Sequence, residues 1–469
     1  LAADGALTVV SAAGISFDSA AAGASVGLSS SGGGDIAVAT ITAGADVNVA
    51  TGGSFIADSV TASQSGTGVV DIAAVTGVTL NTLVGNTALL AASGGAVRVN
   101  VDIDMTGLVD ASGQSVFLRS TGNLAALANA SSGDIDIETS GDLDVSGAQA
   151  DAGDVRLVSS GGNATVANLR AREFSPGTGG NVLIEADENL AVNGEVTAAS
   201  ALTMRAGERA SIDAAAVGRE IELRASDVAI GSSGALGSLE ATETSGISGG
   251  GIARTGGDAA SASGFTIDND EFSRIAASQS IAISASTAIV LDDLDIRVAS
   301  GTGATGNLRG EGRIDFRAAE GINVIGEVVM TGATADNALG LETGGNVFLD
   351  ASTGLLEGNN GAGTFLGSIE VVASNFYAMT EQALTDVQAA ADIAAINDRL
   401  AQNDGIDNPD GLIRTGTLDI TTVTSDVFIQ NTAPGTRFGE RRGFTVDELL
   451  ISDPSGTNQP IVINGIIAG

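Results

Sequence analysis

The stretches Gly34-Asp35-Ile36-Ala37-Val38, Gly133-Asp134-Ile135-Asp136-Ile137 and Gly153-Asp154-Val155-Arg156-Leu157 share one pattern. Gly180-Asn181-Val182-Leu183-Ile184 and Gly345-Asn346-Val347-Phe348-Leu349 repeat it. A turn glycine is followed by Asp or Asn, then by apolar residues at every second position. Period-two alternation predicts a short β-strand with one buried face. No such strand buries enough apolar surface alone. The repeat therefore predicts a solenoid in which each strand stacks on its copy one turn later.

The spacing sets the turn length. Gly34 to Gly53 and Gly95 to Gln114 are each 19 residues apart, and Gly133 to Gly153 is 20. A rung of about 20 residues suits an all-β, three-sided parallel β-helix. From Gly34 to Ala62 the inward set is Ile36 and Val38, Ile41, Val47 and Val49, Phe55 or Ile56, then Val60. Glycine at a corner supplies positive φ; Asp and Asn tolerate the same region and bond their own backbone. A tandem array of β-sandwich domains is the competing architecture. It needs modules of ~100 residues and recurrent core aromatics. The short period and an aromatic content of 3% speak against it.

Composition narrows the chemistry. The chain of 469 residues has no His, no Cys and no Trp, and all 20 of its basic residues are Arg. Without Cys there are no disulfides and no thiolate nucleophiles or metal ligands. Without His the commonest general base is missing, and without Lys there is no Schiff-base chemistry. The net charge of −37 disfavours nucleic acid as a partner and makes divalent cations natural counterions. No apolar run approaches the ~18 residues of a membrane helix. The chain opens at Leu1 without Met or a signal peptide, so we expect a processed or excerpted part of a longer precursor.

The rhythm breaks in three places. Thr244 to Ser263 and Gly301 to Gly312 are Gly-rich and read as loop insertions. Thr380 to Gln402 lacks Gly and Pro. Its apolar residues Leu384, Val387, Ala391, Ile393, Ile396 and Leu400 fall at three- and four-residue spacing, which predicts an amphipathic helix. The expected organisation is a β-helix over 1–375, a helical insertion and turn over 376–411, and C-terminal rungs or cap over 412–469. In that last part Leu418-Ile420, Val427-Ile429, Leu449-Ile451 and Ile461-Ile463 read as strands.

Three C-terminal phrases carry a family resemblance: Val427-Phe428-Ile429-Gln430-Asn431-Thr432, Arg441-Arg442-Gly443-Phe444-Thr445 and Ile461-Val462-Ile463-Asn464-Gly465. Together with the Gly-Gly-Asp-Val-like rungs, they resemble the tails of large filamentous-haemagglutinin-like exoproteins of alphaproteobacteria. The resemblance implies a right-handed parallel β-helix. It also implies two-partner secretion through an outer-membrane β-barrel transporter, and a secreted life on a Gram-negative cell surface. The implied roles are adhesion, aggregation and biofilm formation, with host, cell-surface or matrix polymers as partners. The family's Asn-Pro-Asn-Gly-type secretion motif is missing; Asn408-Pro409-Asp410-Gly411 follows the predicted helix and reads as a turn.

Two acidic clusters are the densest oxygen sets. Asp292, Asp293 and Asp295 form one; Asp268, Asp270 and Glu271, around Asn269, form the other. β-Helical polysaccharide hydrolases use Asp trios as acid and base, but beside a Gly-His-Gly and an Arg-Ile-Lys segment that this chain lacks. The expectation is therefore not an enzyme, and no cofactor beyond weakly held calcium on those six carboxylates. Arg437, Arg441 and Arg442 form a basic patch that reads as local pairing with Glu440, Asp447 and Glu448. Three functions stand open at this point: an adhesive or matrix exoprotein, a filament subunit that self-associates end to end, and a polysaccharide-active enzyme.

Overall fold

The protein, as a computed structural model, is described over residues 1–63, 68–175, 178–231, 237–257, 265–299, 306–350, 352–379, 384–385, 413–429, 444–452, 462–463 and 466–468. Strands take 67% of the chain and helix 2%, so the fold is all-β. It divides into two compact units, built chiefly from Leu1–Ile221 and from Ser238–Gly469. Each is a parallel β-helix.

The pairing order defines the solenoid. In the first unit Ile15–Ala22, Ile36–Ala43, Ser54–Thr61, Gly77–Gly85 and Val97–Met105 pair in parallel, each with the next. Between them in sequence lies a second parallel series: Leu7–Ser11, Val26–Ser30, Val47–Thr51, Val69–Ala74, Thr87–Ala92 and Leu108–Gly113. Every strand thus skips its sequence neighbour and pairs one turn on. Parallel strands cannot be joined by a tight hairpin, and the coil itself supplies the crossover.

Register puts like on like. Ile36, Phe55, Val78, Val97, Val116, Ile135, Val155, Val182 and Leu202 lie opposite one another in succession. All nine are buried. Burial of such a side chain contributes about 1.5–3 kcal/mol relative to exposure. Ile56, the other candidate for the inward position beside Phe55, is 49% exposed.

Turn length differs between the units. Phe55 follows Ile36 by 19 residues, as Val116 follows Val97. The step from Val155 to Val182 is longer because the antiparallel pair Glu173–Ser175 and Thr178–Gly179 is inserted there. In the second unit Ile314 lies opposite Leu339, Leu339 opposite Ile369 and Ile369 opposite Leu418. The spacing of about 20 is therefore a property of the first unit, and the second carries larger excursions between rungs.

Three sequence expectations are corrected. The Gly-rich stretch 244–263 is no loop where it is described. Thr244 to Gly249 belongs to the strand Ser238–Gly249 and pairs with Ser280–Ala285, and Ile252–Thr255 is also a strand. Ile247 faces Ile283 in the core, and that apolar contact decides the state of its small neighbours. Within 301–312, Leu308–Arg309 is a strand that pairs with Val298–Ala299, and Leu308 is buried. The helical insertion does not begin at 376: Phe376 to Met379 ends the strand Ser368–Met379, with Phe376 buried opposite Val347. Leu384 and Thr385 are helical; the rest of the predicted helix lies outside the described residues. The C-terminal strands Ile413–Ile429, Phe444–Ser452 and Val462–Ile463 fall where the alternation puts them.

Corner glycines let successive turns meet at backbone distance. A Cβ on Gly95 would stand 1.7 Å from the Thr76 carbonyl oxygen, whereas one on Gly122 would have nothing within 4 Å. Gly95→Ala is expected to cost about 2–4 kcal/mol, because neither backbone can give way without breaking the ladder. Gly122→Ala is expected to stay within about 0.5 kcal/mol of the parent. Urea unfolding of the two variants checks the contrast.

Candidate functional site

At the corners the strand ladder is interrupted: some N–H groups still reach a carbonyl of the neighbouring turn, as Ser140 reaches Ser120, and others need side-chain acceptors. The Asp or Asn of the opening motif supplies them. Asp134 Oδ1 accepts from the Asp154 N–H at 2.9 Å. Asp154 Oδ1 accepts from the Asn181 N–H at 2.9 Å and from its side-chain amide at 3.0 Å. Asn181 Oδ1 accepts in turn from the Ala201 N–H at 3.2 Å. A second ladder climbs another corner: Asn123 to Asp142 to Asn163 to Asn189 to the Arg209 N–H. Asp35 makes the same contact with the Ser54 N–H and hydroxyl, both at 2.7 Å. These side chains bond the backbone of the following turn, not their own as the sequence reading expects.

Buried hydroxyls form a second device that the sequence reading misses. Ser30, Thr51, Ser120, Thr139 and Ser159 are all buried. Each donates to a carbonyl of the preceding turn: those of Ala13, Gly34, Ile103, Gly122 and Gly141. Thr51, Ser120 and Thr139 also accept from the N–H two residues on, at Gly53, Gly122 and Gly141. The signal is present in the chain as Ser/Thr-x-Gly: Thr51-Gly52-Gly53, Ser120-Thr121-Gly122, Thr139-Ser140-Gly141.

Outward charges are paired across turns. Arg119 reaches Asp136 at 2.5 Å and Arg156 reaches it at 2.9 Å, while Glu138 lies 3.1 Å from Arg156. In the second unit Arg313 bridges Asp315 at 2.7 Å and Glu370 at 3.1 Å, and Arg317 bridges Asp315 and Glu342. The Arg98 guanidinium stacks on the Phe117 ring, 3.8 Å from its centroid. The exposed pairs contribute about 0–1 kcal/mol each; Asp315 is buried, and its two arginines compensate its charge.

Of the six carboxylates expected to bind calcium, Asp268, Glu271, Asp292 and Asp293 are hydrogen-bonded or ion-paired within the fold. Asp268 caps the short helix Asn269–Phe272: its Oδ1 accepts from the Glu271 N–H, and Glu271 Oε2 accepts from the Asp268 N–H in return. Glu271 Oε1 also accepts from the Ile230 N–H at 3.0 Å. Burial pushes the Glu271 carboxyl above its ordinary range, against the pull of those N–H donors. Asp270 is exposed and its carbonyl takes the Ser273 hydroxyl. Asp292 pairs with Arg254 at 3.2 Å. Asp293, in the left-handed region at φ 47°, accepts from the Glu327 N–H at 2.9 Å, the same cross-turn bond as the corner ladders. Asp295 is exposed. Asn269 joins the two clusters, donating to the Asp293 carbonyl and accepting from the Asp295 N–H. Among the described residues no three carboxylates converge on a point that could hold a metal ion. The Arg437, Arg441 and Arg442 patch lies outside the described residues.

The first unit carries an open groove of about 700 Å³. Ala50, Ala73, Ala91, Ser112, Asn129 and Gln149 lie one above another along it. Its one ionisable lining residue, Asp151, is paired with Arg172 at 3.3 Å. A single engaged carboxylate provides no acid–base pair; the groove offers shape and hydroxyl and amide contacts. Comparison with models of protein families, with curated proteins and with solved structures finds no match to this chain.

The ladders make two testable statements. Asp154→Ala removes both acceptor contacts to Asn181 and is expected to cost about 1–2 kcal/mol, whereas Asp154→Asn keeps an Oδ1 in place and should cost much less. The Ser54 N–H holds the Asp35 carboxyl below its ordinary range, and the Asn163 N–H does the same for Asp142. A depressed folded-state pKa means that the unfolded chain takes up protons first. The stability these groups provide is thus full near neutrality and lost as pH falls through and below about 4. Urea melts across that range should show a shallower acid limb for the double variant Asp35→Asn, Asp142→Asn.

Proposed function

We propose that the chain is a structural exoprotein of a Gram-negative cell surface, filamentous-haemagglutinin-like, that works as a scaffold in adhesion, aggregation or biofilm matrix. The observation that carries this reading is the use of the polar side chains. Corner Asp and Asn such as Asp134 and Asp154, buried hydroxyls such as Thr51 and outward pairs such as Arg156–Asp136 bond one turn of the coil to the next. The carboxylates, amides and hydroxyls named above serve the stack itself. The C-terminal phrases that resemble the exoprotein tails support the family reading, which implies export through an outer-membrane β-barrel transporter.

The charge of −37 fits a surface that contacts polymers rather than nucleic acid. Attachment to an anionic surface should be weak at low ionic strength and rise as salt screens the repulsion, since the Debye length falls from ~30 Å at 0.01 M to ~8 Å at 0.15 M.

Two measurements on the purified chain test the proposal. Coated on an inert support, it is expected to retain bacterial cells or extracted matrix polysaccharide above an albumin control. Incubated with a panel of polysaccharides, it is expected to release neither reducing ends nor unsaturated sugars. Release of either would replace the scaffold reading with an enzyme, and retention no better than albumin would remove adhesion.

A further inference from the structure

The sequence contains three Asn-Gly bonds, at Asn193-Gly194, Asn360-Gly361 and Asn464-Gly465. Asn-Gly is the dipeptide in which a main-chain nitrogen most readily attacks the preceding side-chain amide, because glycine has no side chain to shield it. The third bond lies outside the described residues. The other two differ sharply in their surroundings.

At Asn360-Gly361 the attacking N–H and the carboxamide oxygen are both occupied. The Gly361 N–H donates to Asn359 Oδ1 at 2.8 Å. Asn360 Oδ1 accepts from the N–H groups of Ala362 and Thr364, at 2.9 and 3.1 Å. At Asn193-Gly194 neither group is held. Asn193 is exposed, and among the described residues its carboxamide and the Gly194 N–H have no hydrogen-bond partner. Asn193 also stands apart from its corner neighbours. The side chains of Asn163, Asn181 and Asn189 are locked into the cross-turn ladders. Gly194 is required where it is, since a Cβ there would meet the Asn168 nitrogen and the Ala167 Cβ at 2.9 Å.

We propose that Asn193 is a site of spontaneous deamidation and isoaspartate formation in the native chain. The Gly194 nitrogen loses its proton to solvent and attacks Asn193 Cγ. A new C–N bond closes a five-membered succinimide, and the side-chain nitrogen leaves as ammonia. Water then adds to one of the two imide carbonyls and breaks its C–N bond. Opening at Cγ gives Asp; opening at the main-chain carbonyl gives isoaspartate, which adds a methylene to the backbone. One ammonia leaves, one water enters, and nothing is oxidised or reduced. The product places a carboxylate in the three-residue corner between Leu190–Val192 and Val196–Ala198. There it adjoins Glu195 and lies one turn from Asp213, whose N–H donates to the Val192 carbonyl.

The test is incubation of the folded chain in mildly alkaline buffer, followed by trypsin and fragmentation mass spectrometry. The tryptic fragment from Glu173 to Arg205 contains Asn181, Asn189 and Asn193 together. We expect the NH₂-to-OH mass change at Asn193 alone within it, with part of the product as isoaspartate. Conversion at Asn360 should be slower by about tenfold or more, because three hydrogen bonds must open first. In urea the two sites should react at similar rates. Asn193→Gln should leave the Glu173–Arg205 fragment unconverted. The inference is overturned if native Asn360 reacts as fast as Asn193, if Asn193 stays intact while the unfolded chain converts, or if the fragment from Asn193→Gln still gains the mass change.

Discussion

A coiled chain must turn corners on every rung, and at a corner part of the backbone leaves the strand ladder. The N–H groups freed there are the weak point of the architecture, since a buried donor without an acceptor costs about 1–3 kcal/mol. This protein meets the constraint from the neighbouring turn. An Asp or Asn on one rung accepts from the N–H of the next, as Asp154 does for Asn181. A buried Ser or Thr closes the other side by donating to the carbonyl of the turn before, as Thr51 does for Gly34. Corner bonds therefore run along the stack, like the strand ladders, and each rung is satisfied only when its neighbours are in place. That is cooperative one-dimensional stabilisation of the kind that stacked repeats show.

The same constraint accounts for the composition. Corners must be tight, so glycine recurs where successive backbones approach, as Gly95 approaches Thr76. Corner acceptors must be short and hold their geometry, which selects Asp and Asn. Asp35, Asp134, Asp142 and Asp154 are acidic residues placed by this structural need. Arginine suits the outward columns because its planar fork can reach carboxylates on two turns at once, as Arg313 reaches Asp315 and Glu370.

The strands and their inward faces were legible because alternation with branched residues has one reading on a stacked sheet. Ile36, Val38, Val47 and Val49 are buried as their spacing demands. The state of Gly-rich segments was not legible. Thr244-Ser245-Gly246-Ile247 has the composition of a loop, yet one apolar residue over Ile283 is enough to enlist it as a strand. The roles within the acidic clusters were legible only in part: the Asp268-x-x-Glu271 spacing of a capping box stands in the sequence, whereas the N–H that Asp293 accepts from belongs to Glu327, far along the chain. The Ser/Thr-x-Gly corners could have been read from the chain, since the hydroxyl precedes the glycine by two residues at each.

A side chain that bonds the next turn does the same work on every rung, so it cannot distinguish one partner from another. The Gly-Asp motif, the buried hydroxyls and the inward columns are excluded from recognition on that ground. What remains for recognition is whatever changes from turn to turn. In the first unit that is the outward column along the groove, where Ala50, Ala73 and Ala91 give way to Ser112, Asn129 and Gln149. The floor becomes progressively more polar and able to donate hydrogen bonds while its backbone spacing stays constant. Under the scaffold role proposed above, a graded face suits an extended polymer, whose units can meet successive rungs, better than a compact ligand, which would sample only one or two. In the second unit the longer excursions between rungs add surface that no repeat dictates, as between Leu339 and Ile369. Selection can vary such excursions without touching the corner bonds, and this separates the part of the sequence that must repeat from the part that is free to choose a partner.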